Sequence, residues 1–186
     1  NQDAQWFGLL AVPQNFYAGL GKYPLLAIPM FVLVGSIFDR SGVAQRLVTF
    51  AVSILGRGPG MLPVVTILVA MVLGGISGSG PATAAAVGSV MIFAMIRAGY
   101  PAAYSASIVG AAAATDILIP PSIAFIVYSV LVPGASVPAM FAAGMIPGIL
   151  VGLALMIPAV WLARRHGMGL LEADQSKPPF WASLRE

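Results

Sequence analysis

The chain has no cysteine, a single histidine (His166), and charged residues make up only 8% of it. Without cysteine there is no disulfide and no thiolate metal site. No paired metal ligands and no phosphate-binding lysine loop occur, which leaves nothing for metal-assisted or nucleotide-driven chemistry to start from. A soluble domain carries roughly 25% charged residues, so the shortage of charge argues against a fold surrounded by water. The formal charge is +3 and the pI about 9.6. The basic residues stand at the ends of apolar runs rather than in a patch, so no nucleic-acid partner is expected. What is abundant is apolar: 59% of residues, with a mean hydropathy of +0.95. It comes as successive runs separated by Gly, Pro and Arg, the pattern of an all-α integral membrane protein in a lipid bilayer. The chain opens on Asn1-Gln2-Asp3 with no Met and no signal-peptide pattern, and reads as a piece of a longer protein.

The runs divide the chain. Residues 1–42 form a first membrane segment. Trp6, Phe7, Phe16, Tyr17 and Tyr23 suit a membrane interface, the run 24–38 is apolar, and Asp39-Arg40-Ser41-Gly42 stops it. Residues 43–60 differ. Val43, Leu47, Val48, Ala51, Ile54 and Leu55 recur near helical spacing among Gln45, Arg46, Thr49 and Ser53. That is an amphipathic helix along the membrane surface, or else the polar-sided end of a packed span. Arg57-Gly58-Pro59-Gly60 turns the chain.

Residues 61–132 hold the unusual features. Two apolar runs, 61–76 and 82–96, flank Gly74-Gly75-Ile76-Ser77-Gly78-Ser79-Gly80-Pro81. Each run has about 15 residues, short of the ~20 needed to cross a bilayer. Arg57 and Arg97 bracket the pair, so it leaves and returns on one side. Two short spans would do the same, but the length favours a re-entrant hairpin with its tip, Ser77 to Pro81, near mid-depth. The stretch 101–132 would run to roughly 48 Å as one straight helix, and Pro120-Pro121 breaks it. If it crosses once, Arg40, Arg46, Arg57, Arg97, Arg164 and Arg165 all lie on one side. The positive-inside rule therefore favours one broken crossing with the basic side cytoplasmic. Residues 133–166 contain a last span, 138–163. The polar tail 167–186 reads as a cytoplasmic linker, with Phe180-Trp181 and Arg185 approaching a further membrane segment.

Open backbone is forbidden beside lipid and survives at depth only where it lines a site or is buried in protein. Two breaks at mid-depth therefore point to ion and solute binding of the kind built by secondary transporters. Ser77, Gly78, Ser79, Gly80, Thr83 and Ser122 are the candidates for solute. Ser77, Ser79, Thr115, Asp116 and the backbone at Pro120 are the candidates for a sodium ion. Helix N-termini at such a break favour an anionic group. Gly74, Gly75, Gly88, Ser89 and Gly110 read as small residues for tight helix packing. Asp116 is the one acid well inside an apolar run. Intramembrane acids are functional by default, and it would ligate a cation, carry a proton or cap the following half-helix. Gly75-Ile76-Ser77-Gly78 matches a G-x-S-G nucleophile motif. A hydrolase needs a base beside the serine, and His166 stands far away after the last span, so no enzyme is expected.

Pro24-Leu25-Leu26-Ala27-Ile28-Pro29, Gly74-Gly75-Ile76-Ser77-Gly78-Ser79, Ile119-Pro120-Pro121-Ser122 and Ala143-Gly144-Met145-Ile146-Pro147-Gly148 stand in this order along the chain. In that order they resemble the large membrane subunits of TRAP (tripartite ATP-independent periplasmic) transporters, over nearly the whole length. The resemblance implies the N-terminal half of an inverted-repeat, elevator-type transporter in the bacterial inner membrane. It implies sodium-coupled import of a small organic acid, a small membrane subunit and a periplasmic substrate-binding protein as partners, and a second repeat beyond residue 186. It makes 43–55 a cytoplasmic arm helix, 61–97 the first hairpin and 101–132 the discontinuous transport-domain helix. Two departures stand out: Asp116-Ile117 where many relatives have Gly-Pro, and Gly80-Pro81-Ala82-Thr83 where Ala-Val-Ala-Asp is common. The alternative from a different class is a non-transporting membrane scaffold whose breaks serve only packing.

Overall fold

The structure is a computed structural model that describes residues 2–55 and 58–172, the side chains of residues 2–10, Asp39 and Glu172 excepted. Arg57 and the tail from 173 onward, with Phe180, Trp181 and Arg185, lie outside the described residues. Within them the fold is all α, as the composition requires.

Helix α1 (Gln2–Leu20) was not expected from the mixed aromatic and polar segment. It carries Pro13 internally, and at Gly21-Lys22 the chain bends by 57° into the next apolar stretch. A 3-10 turn over Tyr23–Leu26 leads into α2 (Ala27–Arg40). Pro24 and Pro29 fall at the starts of these elements, where a missing N–H costs no helical hydrogen bond. Gly42, at φ 75°, turns the chain into α3 (Val43–Leu55), whose bounds match the amphipathic reading. Ala44 and Val52 are buried, and Val43, Leu47, Val48 and Ala51 pack against the core.

Helix α4 (Met61–Ser77) is the central element. It is apolar on all sides, as a helix surrounded by others must be, and touches α2, α3, α5, α6 and α8. Val65 and Ile67 are fully buried on it. Thr66, also fully buried, donates to the Leu62 carbonyl at 2.8 Å, so its hydroxyl is satisfied within its own helix. Helix α5 (Gly80–Arg97) returns beside α4 and adds Val87, Met91 and Met95 to the core. Then come α6 (Ala102–Ala113), a 3-10 turn over Ala114–Ile117, a short irregular stretch, and α7 (Ile123–Leu131). Helix α8 (Val137–Arg165) closes the order, and a last 3-10 turn covers Leu170–Glu172. The Ser136 hydroxyl caps α8 by accepting from Ala139 N–H at 3.3 Å. By length and composition α5 and α8 could each cross a membrane, and the bent pair of α1 and α2 makes a third.

Three contacts fix how the elements run. Gly60 N–H donates to the Tyr100 hydroxyl at 2.7 Å, so the two feet of the α4–α5 hairpin meet. A side chain added at Gly60 would touch Val160, which places the end of α8 at the same level. Tyr100 stacks on Tyr104, whose hydroxyl donates to the Ala159 carbonyl at 2.6 Å. Arg97, Arg164 and Arg165 thus belong to one end of the fold, and α6 and α7 lead from that end toward the start of α8, where Ile126 lies with Val137, Pro138 and Phe141. Gly144, Gly148 and Gly152 of α8 lie at four-residue spacing and face Leu118, Ile119 and Met71. From Gly148 to Val160 is roughly 18 Å of helix, so the break lies about that far from the end where Gly60 meets α8.

Candidate functional site

The interruption in the hairpin is narrower than the sequence suggests. Gly80 and Pro81 lie inside α5, as its first residues, rather than in the tip. The reason is local: proline suits the first helical turn, and Gly78, at φ 62°, supplies the left-handed residue that ends α4. Only Gly78 and Ser79 are outside both helices. Gly78 N–H closes back on Gly74 O at 2.8 Å.

This tip lies against the break between α6 and α7, with glycines at every point of approach. A side chain on Gly78 would run into the Pro121 carbonyl. One on Gly80 would stand 2.9 Å from the Ala113 carbonyl. One on Gly74 would overlap the Asp116 carboxyl and come within 2.9 Å of its Cβ. Across the seam, Ile123 N–H approaches Gly78 O at 3.5 Å. From the other side Gly35 of α2 lies so close to Ser77 that a Cβ would be 3.1 Å away.

Four helix ends converge here, two of each polarity. The C-terminal ends of α4 (Ser77) and α6 (Ala113) carry partial negative charge; the N-terminal ends of α5 (Gly80) and α7 (Ile123) carry partial positive charge. Ser79 and Ser122 occupy the cap positions of α5 and α7, yet neither hydroxyl caps its helix. The arrangement offers a cation side and an anion side in one small volume, the division of labour seen where half-helices meet in transporters.

The candidate residues separate into three groups. Asp116, Thr83 and Ser77 come together inside. Asp116 is fully buried and both carboxylate oxygens lack a hydrogen-bond partner. Thr83 faces it, although the contact falls short of a formed hydrogen bond. Thr83 Oγ1 and Ser77 Oγ lie 3.2 Å apart, and Ser77 Oγ accepts from Ser79 N–H at 3.4 Å. Gly78, Ser79, Gly80, Pro120 and Ser122 border the seam between tip and break. Thr115 and Ser122 are buried but occupied: Thr115 donates to Ala112 O at 2.7 Å and Ser122 to Ile117 O at 2.8 Å. Their hydroxyls keep lone pairs for a ligand but no free proton. Asp116 sits in the 3-10 turn, six residues before the Ser122 cap of α7, and with no partner it caps nothing.

Sequence reasoning gave Gly74 to helix packing. The structure makes it the residue that admits the carboxyl. A Cβ added at Gly88 would meet Val109 at 3.4 Å, so that glycine lies against α6, whereas one added at Gly110 would meet nothing within 4 Å.

The residues present suit a hard cation. They offer one carboxylate, hydroxyls and carbonyls, all oxygen. Among the described residues no cluster of three or more His, Cys, Asp or Glu exists to hold a transition metal. The uncompensated carboxylate is the observation that a bound cation would explain.

A family model described as "Tripartite ATP-independent periplasmic transporter, DctM component" matches residues 6–186. The C4-dicarboxylate TRAP transporter large permease protein DctM of Pseudomonas aeruginosa is 46% identical over 142 residues, 76% of this chain and 33% of that protein. The isethionate TRAP transporter permease protein DctMQ of Oleidesulfovibrio alaskensis is 42% identical over 84% of this chain and 24% of its own length. An uncharacterized protein, YgiK, of Salmonella typhimurium is 46% identical over 83% of this chain and 36% of its own length. The chain therefore spans about a third or less of these relatives.

Proposed function

The chain belongs to the DctM component family of tripartite ATP-independent periplasmic transporters, and from that premise we propose that it forms the N-terminal half of a sodium-coupled importer of a small organic acid. Members of this family are integral membrane transport proteins, not enzymes. The similar proteins named for C4-dicarboxylate and isethionate both handle small organic anions, which supports an anionic solute here. The whole importer would sit in the bacterial inner membrane with the basic helix ends in the cytoplasm. A small membrane subunit and a periplasmic binding protein would complete it.

One observation carries the reading: the fully buried, unpartnered Asp116 at the seam where four half-helices meet. On the cation side, Asp116, Thr83 and Ser77 would hold sodium, with carbonyls of the α4 and α6 ends. On the anion side, the α5 and α7 N-termini with Ser79 and Ser122 would face the solute carboxylate. Sodium, when bound, supplies the charge that compensates Asp116. Because hairpin tip and break are in direct contact at Gly78 and Pro121, ordering of one side is felt by the other. Solute then binds well only to the sodium-loaded arrangement, and the coupling is reciprocal. The α4–α7 unit would carry the site across as an elevator against α1 and α2.

The test is uptake by the full-length complex with its binding protein in proteoliposomes under an imposed sodium gradient. Sodium-dependent uptake of a dicarboxylate or sulfonate that is lost in Asp116→Asn, in a protein that still folds, is the expected result. Uptake indifferent to sodium overturns the coupling. Uptake unaffected by Asp116→Asn removes the residue from the site.

A further inference from the structure

The last two turns of α8 form a surface feature that the transport site does not use. Met156, Ile157, Val160, Trp161, Arg164 and Arg165 line an open groove of about 680 Å³. Residues 157, 160, 161 and 164 recur at helical spacing, so they form one stripe. The stripe is graded. Its deep end is apolar, with Ile157 73% exposed. Trp161 follows, at the level where aromatic side chains meet the headgroup region. Two guanidinium groups close it. Arg165 lies 4.8 Å above the Trp161 ring, which holds the cation at the mouth rather than leaving it to sweep through solvent. Neither arginine is joined to an acid among the described residues. Arg164 also borders an adjoining depression of about 390 Å³ with Gly58, Pro59, Met61, Gly167 and Leu170.

We propose that this groove binds the headgroup and upper acyl chains of an anionic phospholipid. From Ile157 to Arg164 is roughly 10 Å along the helix, the span from a phosphate to the first several methylenes of its chain. The phosphodiester meets Arg164 and Arg165, the glycerol level meets Trp161, and the acyl chains lie on Met156, Ile157 and Val160. Two guanidiniums that meet no acid among the described side chains select for net negative charge, since the ammonium of a zwitterionic headgroup would be pressed against them. A free phosphate ion would leave the apolar wall unused. A single-sided topology signal requires the arginines but neither the graded wall nor the tryptophan that holds one of them.

Trp161 is the probe. Full-length protein with every other tryptophan replaced by phenylalanine is reconstituted into vesicles of brominated phosphatidylglycerol or brominated phosphatidylcholine, and quenching of Trp161 fluorescence is titrated. The expected result is preferential quenching by the anionic lipid, on the order of tenfold for two basic groups beside one headgroup. It should fall to parity in R164Q/R165Q and partway in each single variant, which guards against a double variant that does not fold. Equal quenching by both lipids in the unsubstituted protein means a non-selective lipid shell and overturns the proposal. So does a preference that survives loss of both arginines. Absence of quenching by either lipid means that another protein segment fills the groove, and also overturns it.

Discussion

Gly74→Ala is the substitution on which the reading of the site turns. Gly74 lies in the last turn of α4 with helical backbone, so alanine there should stabilise by up to about 0.5–1 kcal/mol through helix propensity alone. Its neighbour reverses the sign. The added methyl would overlap the Asp116 carboxyl and stand 2.9 Å from the Asp116 Cβ. Rotation about χ1 moves the carboxyl oxygens but leaves that Cβ in place, so the two backbones must separate. Overpacking of this kind costs typically about 1–3 kcal/mol, and the close approach of a fixed Cβ puts this site at the upper end, which leaves a net loss of about 2 kcal/mol after the propensity gain. Gly110→Ala is the control. Nothing lies within 4 Å of a Cβ there, so that change should be neutral or stabilising by up to about 1 kcal/mol. The assay compares apparent melting temperatures of the purified full-length protein under one heating protocol, in sodium and in choline. Gly74→Ala should melt lower than the parent and lose its response to sodium. Gly74→Ala/Asp116→Ala should recover the melting temperature but not the response, because the two sites are in contact and should not add. Equal stability of Gly74→Ala and Gly110→Ala would refute the reasoning, since the seam would then have room to spare.

The remaining predictions use the same contacts. Asp116→Leu should raise stability in sodium-free buffer, because an unpartnered buried carboxylate is removed, and should abolish the rise that sodium gives the parent by mass action; thermal scans over a sodium series read both. Gly78→Ala should be worse than Gly74→Ala, since it combines a positive φ of 62° with collision against the Pro121 carbonyl; a melting point at or above that of Gly74→Ala contradicts this. Tyr100→Phe should cost about 1 kcal/mol, because the buried Gly60 N–H loses its acceptor; amide hydrogen exchange at the hairpin foot should speed up while exchange near Val87 stays slow.

Much of this architecture is legible in sequence because membrane depth forbids ambiguity. Gly-Pro-Gly at 58–60, the Gly-Ser run at 74–80 and Pro120-Pro121 each interrupt an apolar run, and each interruption is a boundary in the structure. The α3 helix is read correctly because its apolar stripe repeats at 3.6 residues. Helix α1 is not, since Pro13, Gln14 and Asn15 break any apolar period. Gly80-Pro81 misleads for a different reason. The same two residues that break a helix interior are well suited to begin one, and only the αL geometry at Gly78 decides between the two uses. The match of Gly74 with Asp116 is out of reach from the chain alone. It joins two elements through a missing side chain, and no local period records an absence.

The scaffold alternative can be weighed on the same page. Glycines at 74, 78, 80, 144, 148 and 152 would serve a packing-only protein equally well, because close backbone approach is all that packing asks. Asp116 would not serve it. A fully buried carboxylate with both oxygens unpartnered costs a folded protein at least the ~1–3 kcal/mol of an unsatisfied polar group, and more when charged. Leucine would spare a scaffold that cost. The cost is offset when a cation or a proton meets the carboxyl; among the described residues tip and break share one long backbone contact, Ile123 N–H to Gly78 O at 3.5 Å. A seam with so little backbone bonding, closed over an unpartnered carboxyl, fits the proposed ion site better than it fits a packing-only scaffold.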